Sequence, residues 1–200
     1  MAKSKVKKSV KYIFLIIIVA FITFTICKQL EYSHLERQTQ NRNQDYLSVI
    51  SVKGENLADR LEEFVNLQKD IKNSEIKIDL DNSWRIVSGE TSSINIYLGG
   101  ISTIHLRDET PGWDILQYSL FHVDDAIYSM TIKFLENQSY SISSEEKDKL
   151  EAIVEVYRII HQNTDDNTGN VEKILNEIKE PMSVIDNHYL DMIEGVTDNT

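Results

Sequence analysis

Sixteen consecutive uncharged residues, Tyr12–Cys27 (YIFLIIIVAFITFTIC), constrain this chain more than any other stretch. As a helix they span about 24 Å at ~1.5 Å per residue, slightly less than the ~30 Å hydrocarbon core of a bilayer. Lys11 and Lys28 bracket the run, and both can snorkel to the interfaces and close the gap. Lys3, Lys5, Lys7, Lys8 and Lys11 precede it without an acid, so the positive-inside bias predicts a cytoplasmic tail at residues 1–11 and an exported remainder. A cleaved signal peptide shares this layout. No small-residue cleavage site follows the run, however, and Ile26 stands where a small residue precedes a lipid-modified cysteine. An uncleaved, single-pass signal anchor is therefore the expectation, with the lipid bilayer as a partner through residues 12–27. So short a tail leaves no room for a cytoplasmic kinase, nucleotide-binding or DNA-binding output. Any signal would have to cross the membrane through a partner's helices.

Charge divides along the same line. Residues 1–28 hold six lysines and no acids, so the remainder carries 15 basic and 32 acidic groups, a net of −17. Such a field opposes phosphate, which excludes nucleic acid as an expected partner. The single cysteine, Cys27, rules out an intramolecular disulfide. An exported domain of this size held together by its core alone points to a bacterial cell envelope rather than a stapled secreted fold.

Whether that domain is mixed or all-helical turns on residues 82–106, NSWRIVSGETSSINIYLGGISTIHL. Its β-branched residues and its Gly99-Gly100 pair suggest a hairpin. A two-residue turn there would put Ile94, Ile96 and Leu98 on one face, but would split Ile101 from Ile104 and Leu106. As a helix, Trp84, Val87, Thr91, Ile94, Leu98, Ile101 and His105 recur at alternating spacings of three and four. Eight β-branched residues and three glycines cost about 7 kcal/mol relative to alanine. Burial of five large seam residues returns about 10 kcal/mol. Helix is favoured, with His105 expected as a core histidine.

The neighbouring segments repeat the pattern. Trp113, Leu116, Leu120, Val123, Ile127, Met130 and Phe134 form one seam, behind Thr110 as helix cap and Pro111 at the first turn. Upstream, Leu47, Ile50, Gly54, Leu57, Leu61, Phe64, Gln68 and Ile71 form another, with Gly54 as its weak point. Ser143 and Glu146 spell a capping box ahead of Leu150, Ile153, Tyr157 and Ile160. After DDNTGN come Val171, Leu175, Ile178, Met182, Ile185, Tyr189 and Met192, with Pro181 expected to kink their helix. The expected fold is all-α: an N-terminal transmembrane helix, then an extracytoplasmic antiparallel bundle over residues 45–193. Its five helices are placed near 45–73, 83–107, 111–138, 144–162 and 169–193, with short loops between them. The loop SEIKIDLDN, residues 74–82, alternates like a short extended piece. Residues 28–44 form a polar neck without Gly or Pro, suited either to an outward continuation of the membrane helix or to a flexible spacer. Residues 194–200 are expected to be a flexible tail.

The third helix carries a second apolar row, Tyr118, Phe121, Tyr128, Ile132 and Leu135. A helix apolar on two sides is ordinarily buried between others. The alternative is an exposed surface for a partner helix or a homodimer. No catalytic or phosphate-binding motif occurs. His122 with Asp125, and His188 with Asp191, each share a helix face, but their positions suit solvated surfaces better than metal ligation. Asp165–Glu172 departs from EF-hand spacing and reads as a turn with Asn167 or Thr168 capping the next helix. The expectation is no enzyme, no cofactor and no metal. A membrane-anchored interaction protein is expected, an accessory, scaffold or regulatory subunit with a protein partner or a second copy. A ligand-sensing or cation-binding helical module is the alternative.

Overall fold

The computed structural model describes residues 2–68, 74–106, 112–165, 168–191 and 193. The fold is all-α. Its order is α1 (Ala2–Leu67), α2 (Ser74–Leu98), α3 (Trp113–Asn137), α4 (Ser144–Gln162), α5 (Val171–Glu177) and α6 (Lys179–Ile185). The strands β1 (Thr164–Asp165) and β2 (Thr168–Gly169) form a two-residue antiparallel bridge between α4 and α5.

α1 is one helix of 66 residues, about 100 Å long. It includes a stretch near the N-terminus that is long and apolar enough to cross a membrane. The polar neck continues this helix, because Gln, Glu, Arg and Leu are good helix formers and nothing in the stretch breaks it. The neck is also shorter than its composition suggests. Thr39 and Asn43 are buried, so the bundle begins before residue 45. Asn43 is a clamp: its Nδ2 donates to the Ser102 carbonyl at 2.8 Å, and its Oδ1 accepts from the Ser102 N–H at 3.1 Å. Gln44 grips Gly169 in the same reciprocal way, at 3.0 and 2.7 Å. Two consecutive amides thus tie the shaft to the segment after α2 and to β2.

Along α1 the expected seam is buried from Leu47 to Phe64. Its weak point, Gly54, lies directly against α4: a Cβ there would sit 2.2 Å from Cδ1 of the fully buried Tyr157. α1 ends at Leu67, short of residue 73; residues 69–73, with Ile71, lie outside the described residues.

Several boundaries differ from the sequence reading. α2 starts at Ser74, so SEIKIDLDN is helical rather than extended. Buried Leu80, four residues before Trp84, extends the α2 seam into that segment. α2 also stops at Leu98 instead of running to 107. Gly99-Gly100 is neither hairpin nor helix interior. The Gly99 N–H bonds to Asn95 O, the next two N–H groups close tighter turns, and a Cβ on Gly100 would strike the Tyr46 ring at 2.5 Å. Ile101 is still buried, but His105 is exposed, at φ 70°, and is not a core histidine.

Thr110 and Pro111 lie outside the described residues. α3 is preceded by Gly112 at φ 62°, a left-handed conformation natural to glycine; a Cβ there would also meet Leu175 at 2.2 Å. The Ser143–Glu146 capping box opens α4 as its spacing predicts. The last helix is broken rather than kinked. Pro181 has no N–H to give to the Glu177 carbonyl, and the chain divides at Ile178 so that Pro181 falls in the first turn of α6. Asn170, not Thr168, caps α5, its side chain accepting from Lys173 N at 3.0 Å. Thr168 belongs to β2, and Asn167, Met192 and residues 194–200 lie outside the described residues.

Candidate functional site

α3 carries two rows of large residues, and the tertiary contacts separate them. Trp113, Leu116, Leu120, Val123, Ile127, Met130 and Phe134 are all buried, as the first seam requires. At ~100° per residue the second row lies about 140° farther round the helix. Both flanks between the rows are tied down. Towards α2, Gln117 Nε2 donates to the Leu98 and Ile101 carbonyls at 2.8 and 3.2 Å. On the same flank, Trp84 Nε1–H donates to Thr131 Oγ1 at 3.0 Å. On the other flank, the Ser119 and Tyr189 hydroxyls share a hydrogen bond of 2.7 Å, and Lys133 Nζ meets both Glu146 oxygens at 2.6 Å.

What remains between these flanks faces outward. Tyr118 and Phe121 are 40% exposed, Tyr128 63%, Ile132 36% and Leu135 65%. The expected burial of α3 on two sides therefore does not occur among the described residues. The five side chains form one apolar row, interrupted by the exposed Asp125. The Tyr118 ring lies 4.4 Å from the His122 ring, centroid to centroid.

Beside this row a cleft of about 580 Å³ opens between α3, the start of α4 and the turn after α6. His122, Asp125, Ser129 and Lys133 line one wall, with Glu146, Asp186 and His188 opposite. Most of its charges answer one another. His122 Nδ1 is 3.3 Å from Asp186 Oδ2, and Asp186 Oδ1 accepts the His188 backbone N–H at 2.9 Å. Burial alone would raise the Glu146 carboxyl, but the Lys133 ammonium and the Ser143 N–H hold it below its usual range. Outside the cleft, on the side of α3 towards α2, Asp124 is shifted the other way: burial raises it, and the neighbouring Asp125 adds to the effect, against an offsetting hydrogen bond from Asn95.

The candidate ligand pairs are thus redistributed. His122 and His188 share the cleft, yet His122 is engaged by Asp186 rather than Asp125, and Asp191 is not part of the lining. Among the described residues no group of three His, Cys, Asp or Glu side chains is placed to hold a metal ion. Asp186 had no sequence signal of its own, since no spacing rule connects it to α3. Glu146 was legible as a cap, but its contact with Lys133 was not. No protein-family model matches this chain, and no match was found among curated proteins or solved structures.

Proposed function

We propose that this chain is a single-pass membrane protein whose exported helical bundle works by binding another protein, as an accessory, scaffold or regulatory subunit, without catalysis of its own. In this reading residues 12–27 span the membrane with the five N-terminal lysines inside, and the polar, acidic bundle lies outside. One observation carries the binding role: five large apolar side chains stand exposed in line on the outward face of α3. Contiguous apolar surface of this kind is costly to leave in water and marks contact sites. The unbroken α1 supports the topology, because one rigid helix would join membrane and bundle without a loose linker.

In-membrane crosslinking tests the reading. Adducts formed by the full chain should disappear in Tyr128→Ser/Leu135→Ser and persist in Val52→Ser, a change at an exposed apolar residue of α1. Adducts indifferent to the α3 double variant would refute it. A second reading, a ligand-sensing module, draws on the cleft, whose volume lies within the ~300–1,000 Å³ usual for small-molecule sites. Ligand-dependent thermal stabilisation that vanishes in Asp125→Asn/His188→Ala would favour it.

A further inference from the structure

The occupant of this face can be specified further, on the reading that the protein works by binding another. We infer that the outward face of α3 docks a basic amphipathic helix of a protein partner. Tyr118, Phe121, Asp125, Tyr128, Ile132 and Leu135 follow one another at spacings of three, four, three, four and three. This is the heptad pattern of a helix–helix seam, apolar at every position but one. It extends about 26 Å, or five turns, so a partner helix of similar length can lie along it.

The exception identifies the partner's chemistry. Asp125 stands at the centre of the seam, and among the described residues no ion pair engages it. α3 holds four acids, Asp114, Asp124, Asp125 and Glu136, against a single lysine. That lysine, Lys133, is already held by both oxygens of Glu146 at 2.6 Å. In the adjoining cleft Glu145 is paired with Lys149 at 3.0 Å and Asp186 with His122 at 3.3 Å, so the unanswered charge of this face is that of α3 itself. An apolar residue laid over Asp125 would desolvate a carboxylate with no compensation, whereas a Lys or Arg at that position supplies a charge-assisted bond. The surrounding acids favour further basic residues at the edges of the partner helix. A second copy fits poorly. Two chains standing in one membrane would set α3 parallel to its twin, Asp125 against Asp125, between domains that each carry a net charge of −17.

The test uses the full chain in nanodiscs and two synthetic helices of about six turns, with leucine at the seam positions. The two peptides are identical except for Lys or Glu at the central seam position. Fluorescence anisotropy should show the Lys peptide binding at least ~10-fold more tightly than the Glu peptide, and Asp125→Lys should reverse that order. Tyr128→Ser/Leu135→Ser, with helical content checked by circular dichroism, should weaken the Lys peptide by a similar factor. Equal affinity for the two peptides, or no binding of the Lys peptide, overturns the basic-helix assignment. The interaction reading survives that failure if crosslinks in the native membrane still require Tyr128 and Leu135, and falls with it if they do not. Disulfide-linked dimers of a Cys27→Ser/Tyr128→Cys chain, formed without peptide, would give the face to a second copy and also overturn the assignment.

Discussion

Replacing Phe134 and Phe121 separately by alanine tests the division of α3 into an inner and an outer row. Phe134 is 2% exposed and sits in an aromatic cluster. Its ring is 4.8 Å from Trp84, edge-on, 5.3 Å from Tyr140 and 5.8 Å from Phe64, centroid to centroid. Truncating a core phenylalanine costs ~3–5 kcal/mol, depending on how far the site can collapse. Here collapse is restricted, because the Trp84 indole is fixed to Thr131 and Phe64 belongs to the long α1. A loss of about 4 kcal/mol is therefore expected, out of the ~5–15 typical of a domain. Phe121 is 40% exposed, so its truncation forfeits only part of a ~1.5–3 kcal/mol burial, about 1 kcal/mol.

The chain carries its own reporter for this comparison. Both tryptophans, Trp84 and Trp113, are buried in the bundle, so their fluorescence follows its unfolding and ignores the apolar N-terminal stretch. In urea, with a slope of ~2 kcal/mol/M, the Phe134→Ala midpoint should fall by about 2 M and the Phe121→Ala midpoint by about 0.5 M. Equal shifts for the two variants would refute the assignment of inner and outer rows, and with it the exposed face.

Two glycines should respond in opposite directions in the same titration. Gly54→Ala drives a Cβ into the Tyr157 ring, and overpacking of ~1–3 kcal/mol should outweigh the ~1 kcal/mol gained in helix propensity. Gly89→Ala meets nothing within 4 Å and should stabilise by about 0.5–1 kcal/mol. Asn43→Ala strands the N–H and carbonyl of Ser102, costing about 2 kcal/mol, and hydrogen exchange should speed up at Ile101–Leu106 while α4 keeps its protection. The Glu146 carboxyl, depressed in the folded state, stabilises above its unfolded value of 4.5, and that stability is lost as pH falls through the lower folded value. The urea midpoint of Glu146→Gln should accordingly lie below the parent's at neutral pH and converge with it in acid; a constant gap would contradict the linkage.

The seams were legible because burial on a helix leaves a periodic trace. Leu47–Phe64, Trp84–Leu98, Trp113–Phe134 and Leu150–Ile160 are buried as their spacing requires. Ends were harder to read. The run from Trp84 passes through Gly99-Gly100 without a break in period, since Ile101 falls at the next seam position and is buried, though no longer helical. The helix closes in two tighter turns at Gly99-Gly100, and there Gly100 lies against the Tyr46 ring, a contact between distant parts of the chain. The Asn43 and Gln44 clamps escaped for the same reason. Both sit in a polar run, and polarity there means pairing with remote backbone rather than exposure to water.

The second row of α3 marks where periodicity stops being informative. Phe121 and Phe134 each sit in a row of large apolar residues at helical spacing, which by itself suits either to a buried face. The distinction lies in the residues between the rows and in what they reach. Gln117 and Thr131 fasten one flank to α2, while Ser119 and Lys133 fasten the other to Tyr189 and Glu146. With both flanks held, the helix cannot turn, and no described element remains to cover Tyr128 or Leu135. Asp125 is the one sequence signal that separates the rows. The inner seam has no charged member from Trp113 to Phe134, whereas the outer one places a carboxylate at its centre. A permanently buried seam would have to neutralise that charge within the chain; a seam that closes on a partner can leave the counter-charge to the partner.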